Sequence, residues 1–187
     1  MKLPKGVRLL EGQGLSSNAY LLDGPEGVLC IDAGTDANAF KRALKGAKPH
    51  LLLTHGHADH WLAATKEKMW LHAADVKRFS DINAIFQGVA TPSLSKLPKK
   101  IKWGSFVLEV LETPGHTPGS VCFLERTHGL LFSGDTLFAR GCHGRTDFPC
   151  GNHEDMQASL ELIESLDYDL LLPGHDEIEE RQQTERA

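Results

Sequence analysis

Cysteine, long apolar runs and basic charge are all in short supply. Four cysteines in 187 residues make no disulfide framework. Cys30 and Cys122 fall inside apolar runs and are expected as buried thiols. Cys142 and Cys150 flank a polar loop and are expected to serve that loop, not a metal or a nucleophilic step. No stretch approaches the roughly 18 apolar residues that a spanning helix needs, so no membrane contact is expected. Lys+Arg number 20 against 25 Asp+Glu, a net charge of −5, with both signs mixed along the chain. The basic footprint of a nucleic-acid binder is missing. The first residues lack the apolar core and small-residue cleavage site of a secretory signal, and the expected location is cytoplasmic. Repeats, low-complexity tracts and linkers are missing too. What remains, 41% hydrophobic and 24% charged, is too apolar for disorder and long enough to bury a core. One domain over 1–187 is expected.

Short apolar runs recur at 19–22, 28–31, 51–53, 106–111, 120–124, 130–133 and 170–172; their length and composition predict strands. The segment GPEG at 24–27 predicts a hairpin turn between the first two. Helical periodicity covers 152–166, with Asn152 as N-cap, acids in the first turn and an apolar stripe of Met156, Leu160 and Ile163. A second helix is expected over 36–44, stopping near Gly46. Weaker helical patterns cover 73–79 and a short turn after His60, and the MWL before His72 is strand-like. This mixture predicts an α/β protein: two sheets in a sandwich, covered by outer helices.

Histidine is the abundant residue, at ten copies, and it is the commonest metal ligand. THGHADH at 54–60 places His55, His57, Asp59 and His60 directly after an apolar run. Two histidines two apart can point to one side of an extended segment and share a metal, while Asp59 and His60 can face a second. His116 in TPGHTPGS, Asp135 in FSGDTLF and His175 in LLPGHDE also each follow a predicted strand. Five histidines and two carboxylates suit a pair of divalent ions, Zn²⁺ first, with Fe or Mn possible.

HxHxDH, a distant His, GD and then PGH together resemble the ordered signature of the metallo-β-lactamase superfamily. The resemblance runs from the first hairpin to His175. It implies an αββα sandwich with His55, His57 and His116 on one metal, Asp59, His60 and His175 on the other, and Asp135 shared. GDTLFARGC at 134–142 and GRTDFPCGN at 144–152 are similar to glyoxalase II and its short hydroxyacylglutathione hydrolase-like relatives; GRTDF also resembles a segment of persulfide dioxygenases. Three departures stand out. The chain ends twelve residues after His175, leaving out a C-terminal glutathione-gripping domain, so glutathione selectivity is expected to be lost. His143 is inserted between the GC and GR halves of the loop. Leu62–Ala63 replace an expected glycine pair.

Metal lowers the pKa of bound water from about 15.7 to about 7, and metals stabilise an oxyanion. A thiol of pKa about 8.5 leaves without a dedicated acid. The expected reaction is hydrolysis of a small-molecule acyl thioester by a metal-bridging hydroxide, with Asp59 and Asp135 as catalytic carboxylates. Arg145, and Arg140 beside it, would draw anionic substrates; Arg145 suits a substrate carboxylate, or pairs with Asp147 to lock its loop. The alternatives are a mononuclear iron persulfide dioxygenase, using His55 or His57, His116 and Asp135 without His60 and His175, and an inactive metal-binding scaffold. Asp32, Thr54 and Ser133 are expected to orient ligands. His72 and His153 are expected to be structural, and His50 and His128 solvated. His143, Phe138 and Phe148 are open between substrate contact and loop packing.

Overall fold

The computed structural model describes residues 2–84 and 91–181. The first of two sheets holds, in spatial order, β1 (Val7–Leu10), β2 (Ala19–Gly24), β3 (Gly27–Ile31), β4 (Pro49–Leu52), β5 (Lys68–Leu71) and β6 (Ser93–Lys96). The second runs β12 (Glu179–Glu180), β11 (Leu170–Pro173), β10 (Leu130–Gly134), β9 (Val121–Glu125), β8 (Phe106–Glu112) and β7 (Lys100–Trp103). The helices are α1 (Ala37–Leu44), α2 (Ala73–Lys77), α3 (Phe79–Ile82) and α4 (His153–Glu164).

Alternation along the strands decides the layering. Tyr20, Leu22, Leu29 and Ile31 meet Phe106, Leu108, Phe123 and Phe132 between the sheets. Their neighbours Leu21, Cys30, Leu51 and Leu53 face outward onto Phe40 and Leu44 of α1, Trp61, and Phe79 of α3. Cys122, Leu124, Leu131 and Leu171 pack outward against Ile163 of α4. The result is the α/β αββα sandwich expected from sequence. Cys30 and Cys122 are the buried thiols anticipated.

The seven strands expected are present, and Gly24 pairs with Gly27 across the hairpin turn. Asn152 caps α4, its Oδ1 accepting from the N–H of Glu154 at 2.9 Å and of Asp155 at 3.1 Å. The structure adds β1, β6, β7 and β12, all edge strands, which the sequence reading did not anticipate. The helix expected over 73–79 breaks at Arg78 into α2 and α3. α1 stops at Lys45, itself left-handed at φ 51°, one residue before Gly46. His50 and His128 are not solvated as expected. His50 stands in β4, with its ring centroid 4.6 Å from that of Trp103 and stacked at 6.2 Å on Trp70. His128 Nδ1 lies 2.8 Å from the buried Glu125.

β3 and β4 are parallel, as are β10 and β11. β8 points the same way as β10, because both are antiparallel to β9. The loops leaving the C-terminal ends of these five strands converge at one end of the sandwich. Asn18 ties the sheets there: its N–H donates to the Gly174 carbonyl at 2.7 Å and its side-chain amide to that of Pro173 at 3.1 Å.

Candidate metal centre

Asp32 follows β3 in a left-handed backbone conformation, φ 57°. Its carboxylate accepts from the Thr54 N–H at 2.9 Å and the Thr54 hydroxyl at 2.8 Å, which positions the loop after β4. Asp32 Oδ2 also lies 2.8 Å from His60 Nδ1, turning Nε2 of that ring toward Asp135 Oδ1 at 3.2 Å. Thr54 Oγ1 is 3.1 Å from His55 Nδ1. Both histidines therefore rest one ring nitrogen on a support and present the other to a common centre.

His57 Nδ1 lies 3.0 Å from His55 Nε2 and 2.8 Å from His116 Nε2. His116 arrives on the loop after β8 and is oriented by the Arg145 carbonyl, 2.6 Å from Nδ1. Asp135 follows β10, with Oδ2 at 3.4 Å from His116 Nε2 and 3.6 Å from His175 Nε2. His175, beyond β11, places Nε2 3.2 Å from Asp59 Oδ2. Thus all seven side chains meet. His55, His57 and His116 form one group of potential donors, and Asp59, His60 and His175 another. Asp135 lies between them and forms a third group with His55 and His60. Two glycines permit this crowding: a Cβ on Gly174 would lie 2.4 Å from Asp135 Oδ1, and one on Gly144 2.3 Å from the Asp135 carbonyl oxygen.

The electrostatics are those of a centre suited to cations. Burial, reinforced by the neighbouring histidines, pushes His55 well below the usual imidazole range. Burial and His116 lower His57 to about 4. Burial opposes charge on His60 too, but Asp32, Asp135 and Asp59 outweigh it and raise that ring well above its ordinary value. Burial alone would raise Asp135; His60, His116 and His175 instead hold it far below the carboxylate range. His60 Nε2 and Asp135 Oδ1 are buried and make no hydrogen bond. Neutral His55 and His57 imidazoles, ionised carboxylates and unsatisfied buried atoms facing one point fit divalent metal ions. Cysteine does not enter the donor groups found among the described residues.

The supporting cast differs in part from expectation. The Ser133 hydroxyl donates to the Leu137 carbonyl at 2.6 Å and steadies the following loop, not a donor. Arg140 pairs with Glu177, away from the centre. Arg145 spans Asp147 with bonds of 2.8 and 2.7 Å, and its guanidinium lies 4.5 Å from the Phe148 ring centroid. His143 is exposed and bonded to the Gly144 carbonyl at 2.8 Å. Phe148 and Cys150 line a cleft of about 660 Å³ that contains His57, His116, Asp135 and His175, whereas Phe138 packs edge-on to His175.

Sequence reasoning missed Asp75 altogether. Buried in α2, its carboxylate accepts from the N–H groups of Gly56 and Gly119 and from the Thr117 hydroxyl, at 2.9, 2.6 and 2.7 Å. It clamps the two loops that carry His55, His57 and His116. An acid in the first turn of a short helix carries no signal of that role. Burial raises its pKa, partly offset by these bonds.

The sequence model of the metallo-beta-lactamase superfamily matches residues 12–77 and 95–175. The chain belongs to this superfamily. Among its relatives, "Hydroxyacylglutathione hydrolase GloC" of Haemophilus influenzae is 31% identical over 191 residues, covering 90% of each chain. Human "Persulfide dioxygenase ETHE1, mitochondrial" is 46% identical over 127 residues, which are 66% of this chain and 47% of that protein. A solved structural neighbour, TTHA1623 in a di-iron-bound form, superposes with a TM-score of 0.76 at 30% identity, covering 93% of this chain and 94% of that one. The superfamily fold implies divalent metal binding, and the His/Asp clusters agree with it.

Proposed function

We propose that this protein is a metal-dependent hydrolase of small-molecule thioesters. His55, His57 and His116 would hold one divalent ion, Asp59, His60 and His175 a second, and Asp135 both. Zn²⁺ suits these donors, as do Fe and Mn. When bound, such ions supply an acidified water at neutral pH and a charge that draws the acyl oxygen. The chain's own groups orient the site: Asp32, Thr54 and the Arg145 carbonyl hold the imidazoles, and Asp75 holds their loops. Asp59 opens onto the cleft and would take the proton of the attacking water. The water oxygen bonds to the acyl carbon, the carbon–sulfur bond breaks, and the sulfur leaves with the electron pair. A thiolate of pKa about 8.5 needs no acid to leave.

The observation that carries this reading is the convergence of seven donor side chains around two buried, unbonded atoms, His60 Nε2 and Asp135 Oδ1. Similarity to a hydroxyacylglutathione hydrolase over 90% of both chains supports the thioester class. Likeness to the persulfide dioxygenase supports a second reading, a single iron with oxygen as co-substrate. Elemental analysis beside two assays separates them. Two metals per chain with thioester hydrolysis support the first. One iron with oxygen consumption on glutathione persulfide overturns it. Asp135→Ala should lower metal content below two per chain and cut kcat/KM by at least about a hundredfold; full activity with both metals retained would sink the assignment.

A further inference from the structure

The described residues expose three large hydrophobic side chains: Leu15 at 88%, Leu162 at 39% and Phe148 at 37%. Two of them, Leu15 and Phe148, sit on the cleft that reaches the metal centre. Leu62, at the position where the family resemblance led us to expect glycine, and Ile82 of α3 also line it. The apolar wall begins at the donors themselves, since the Phe148 ring centroid is 5.8 Å from that of His57 and 6.3 Å from that of His116. At about 660 Å³ the cleft lies within the range of roughly 300–1,000 Å³ usual for small-molecule sites. Exposed apolar groups clustered at a cleft mark a surface that a ligand covers.

Charge points the same way. Among the described residues the lining carries one Lys or Arg, Arg145, whose guanidinium is bound to Asp147 and stacked on Phe148. Asp81 contributes a negative charge to the lining. Among the described lining residues an anionic arm such as that of glutathione would meet no unpaired Lys or Arg, while an uncharged chain would exchange water for Leu15, Leu62, Ile82 and Phe148.

We infer that the acyl group of the substrate is an uncharged apolar chain, aliphatic or aryl, lying between Leu15 and Phe148. This rests on the thioesterase reading and adds the substrate class. The acyl group is assigned because it is joined directly to the carbon under attack, and the apolar wall starts beside the donors, with the Phe148 ring edge-on to His57 at 5.8 Å.

The metal-loaded protein is assayed on acetyl, butanoyl, hexanoyl and octanoyl thioesters of N-acetylcysteamine, on S-lactoylglutathione, and on acetyl thioesters of alkyl thiols of increasing length. The expected result is a rise in kcat/KM of about two- to fourfold per acyl methylene, S-lactoylglutathione below hexanoyl, and little dependence on thiol length. Leu15→Asp, at a position too exposed to affect folding, should flatten the acyl series without moving the melting temperature. A flat acyl series, preference for S-lactoylglutathione, or a rise with thiol length instead would overturn the inference. Calorimetric binding of the non-hydrolysable S-hexyl and S-ethyl ethers of N-acetylcysteamine gives a readout free of chemistry. The hexyl ether should bind at least about tenfold more tightly, and Leu15→Asp should remove the difference. Chain-length-dependent binding without hydrolysis of any thioester would sink the reaction but keep the apolar cleft; hydrolysis with a flat acyl series would do the reverse.

Discussion

Asp32 shows how much a single residue outside the donor set can decide. One carboxylate orients Thr54 and His60 together, and its left-handed backbone is a conformation that Asp and Asn tolerate better than most residues. Asp32→Asn should keep that backbone and lose an acceptor. The expected result is a ten- to hundredfold loss of metal affinity, about the usual effect of removing a ligand's outer partner, measured by chelator competition. Arg145 is the complementary case, where the main chain and side chain do different work. Its carbonyl orients His116, and its guanidinium fixes the loop through Asp147 and Phe148. Arg145→Lys loses the bidentate pairing. Melting temperature should fall, and neutral and carboxylated thioesters should suffer alike. A KM increase confined to carboxylated substrates, with stability unchanged, would show instead that the guanidinium reaches substrate.

At the scale of elements, the β9–β10 turn rests on a buried acid. Glu125 has no exposed side-chain surface and accepts from the N–H groups of Thr127 and His128 and pairs with the His128 ring. Burial would raise its pKa, but these bonds outweigh burial and lower it. A depressed folded pKa contributes stability above the unfolded value of about 4.3, and that contribution is lost as pH falls through the folded value. Glu125→Gln should therefore cost about 1–2 kcal/mol at pH 7, with the gap from wild type narrowing below about pH 4. Urea midpoints at both pH values check this; a gap independent of pH would refute it. The edge strands follow another rule. β6, β7 and β12 read SLSK, KIKW and EE, short and charged, which blunts edges against pairing with other chains. The same features hide them from a search for apolar runs.

Across the whole molecule, the three apolar clusters contain none of the seven donor side chains. The sandwich is therefore expected to stand without metal, with the centre as a site of added stability. Chelation should leave the far-ultraviolet circular dichroism intact and lower the melting temperature. Restoring Zn²⁺, Fe²⁺ or Mn²⁺ should raise it again, by the equivalent of about 4 kcal/mol at a thousandfold excess over Kd. Collapse of secondary structure on chelation would show that the metals hold the fold itself. Among the described residues, no helix is long and apolar enough to cross a membrane.

Several features were legible without coordinates because they are local. Central strands such as β2, β9 and β10 are buried on both faces, so each is a continuous apolar run. The Asn152 cap and the stripe of α4 repeat at helical spacing, and the donors stand directly after strands in recognisable order. Other features needed the tertiary structure because they join residues far apart in the chain. Asp75 meets Gly119 across 44 positions, and Asn18 meets Pro173 across 155. His50 looks like a polar strand residue until packing places it against Trp103 and Trp70. Leu15 and Phe148 look like isolated apolar residues until the loops that bear them line one cleft. Periodicity and capping act between near neighbours, so sequence alone determines them, whereas clamps and clefts depend on which distant loops the two sheets bring to the same end.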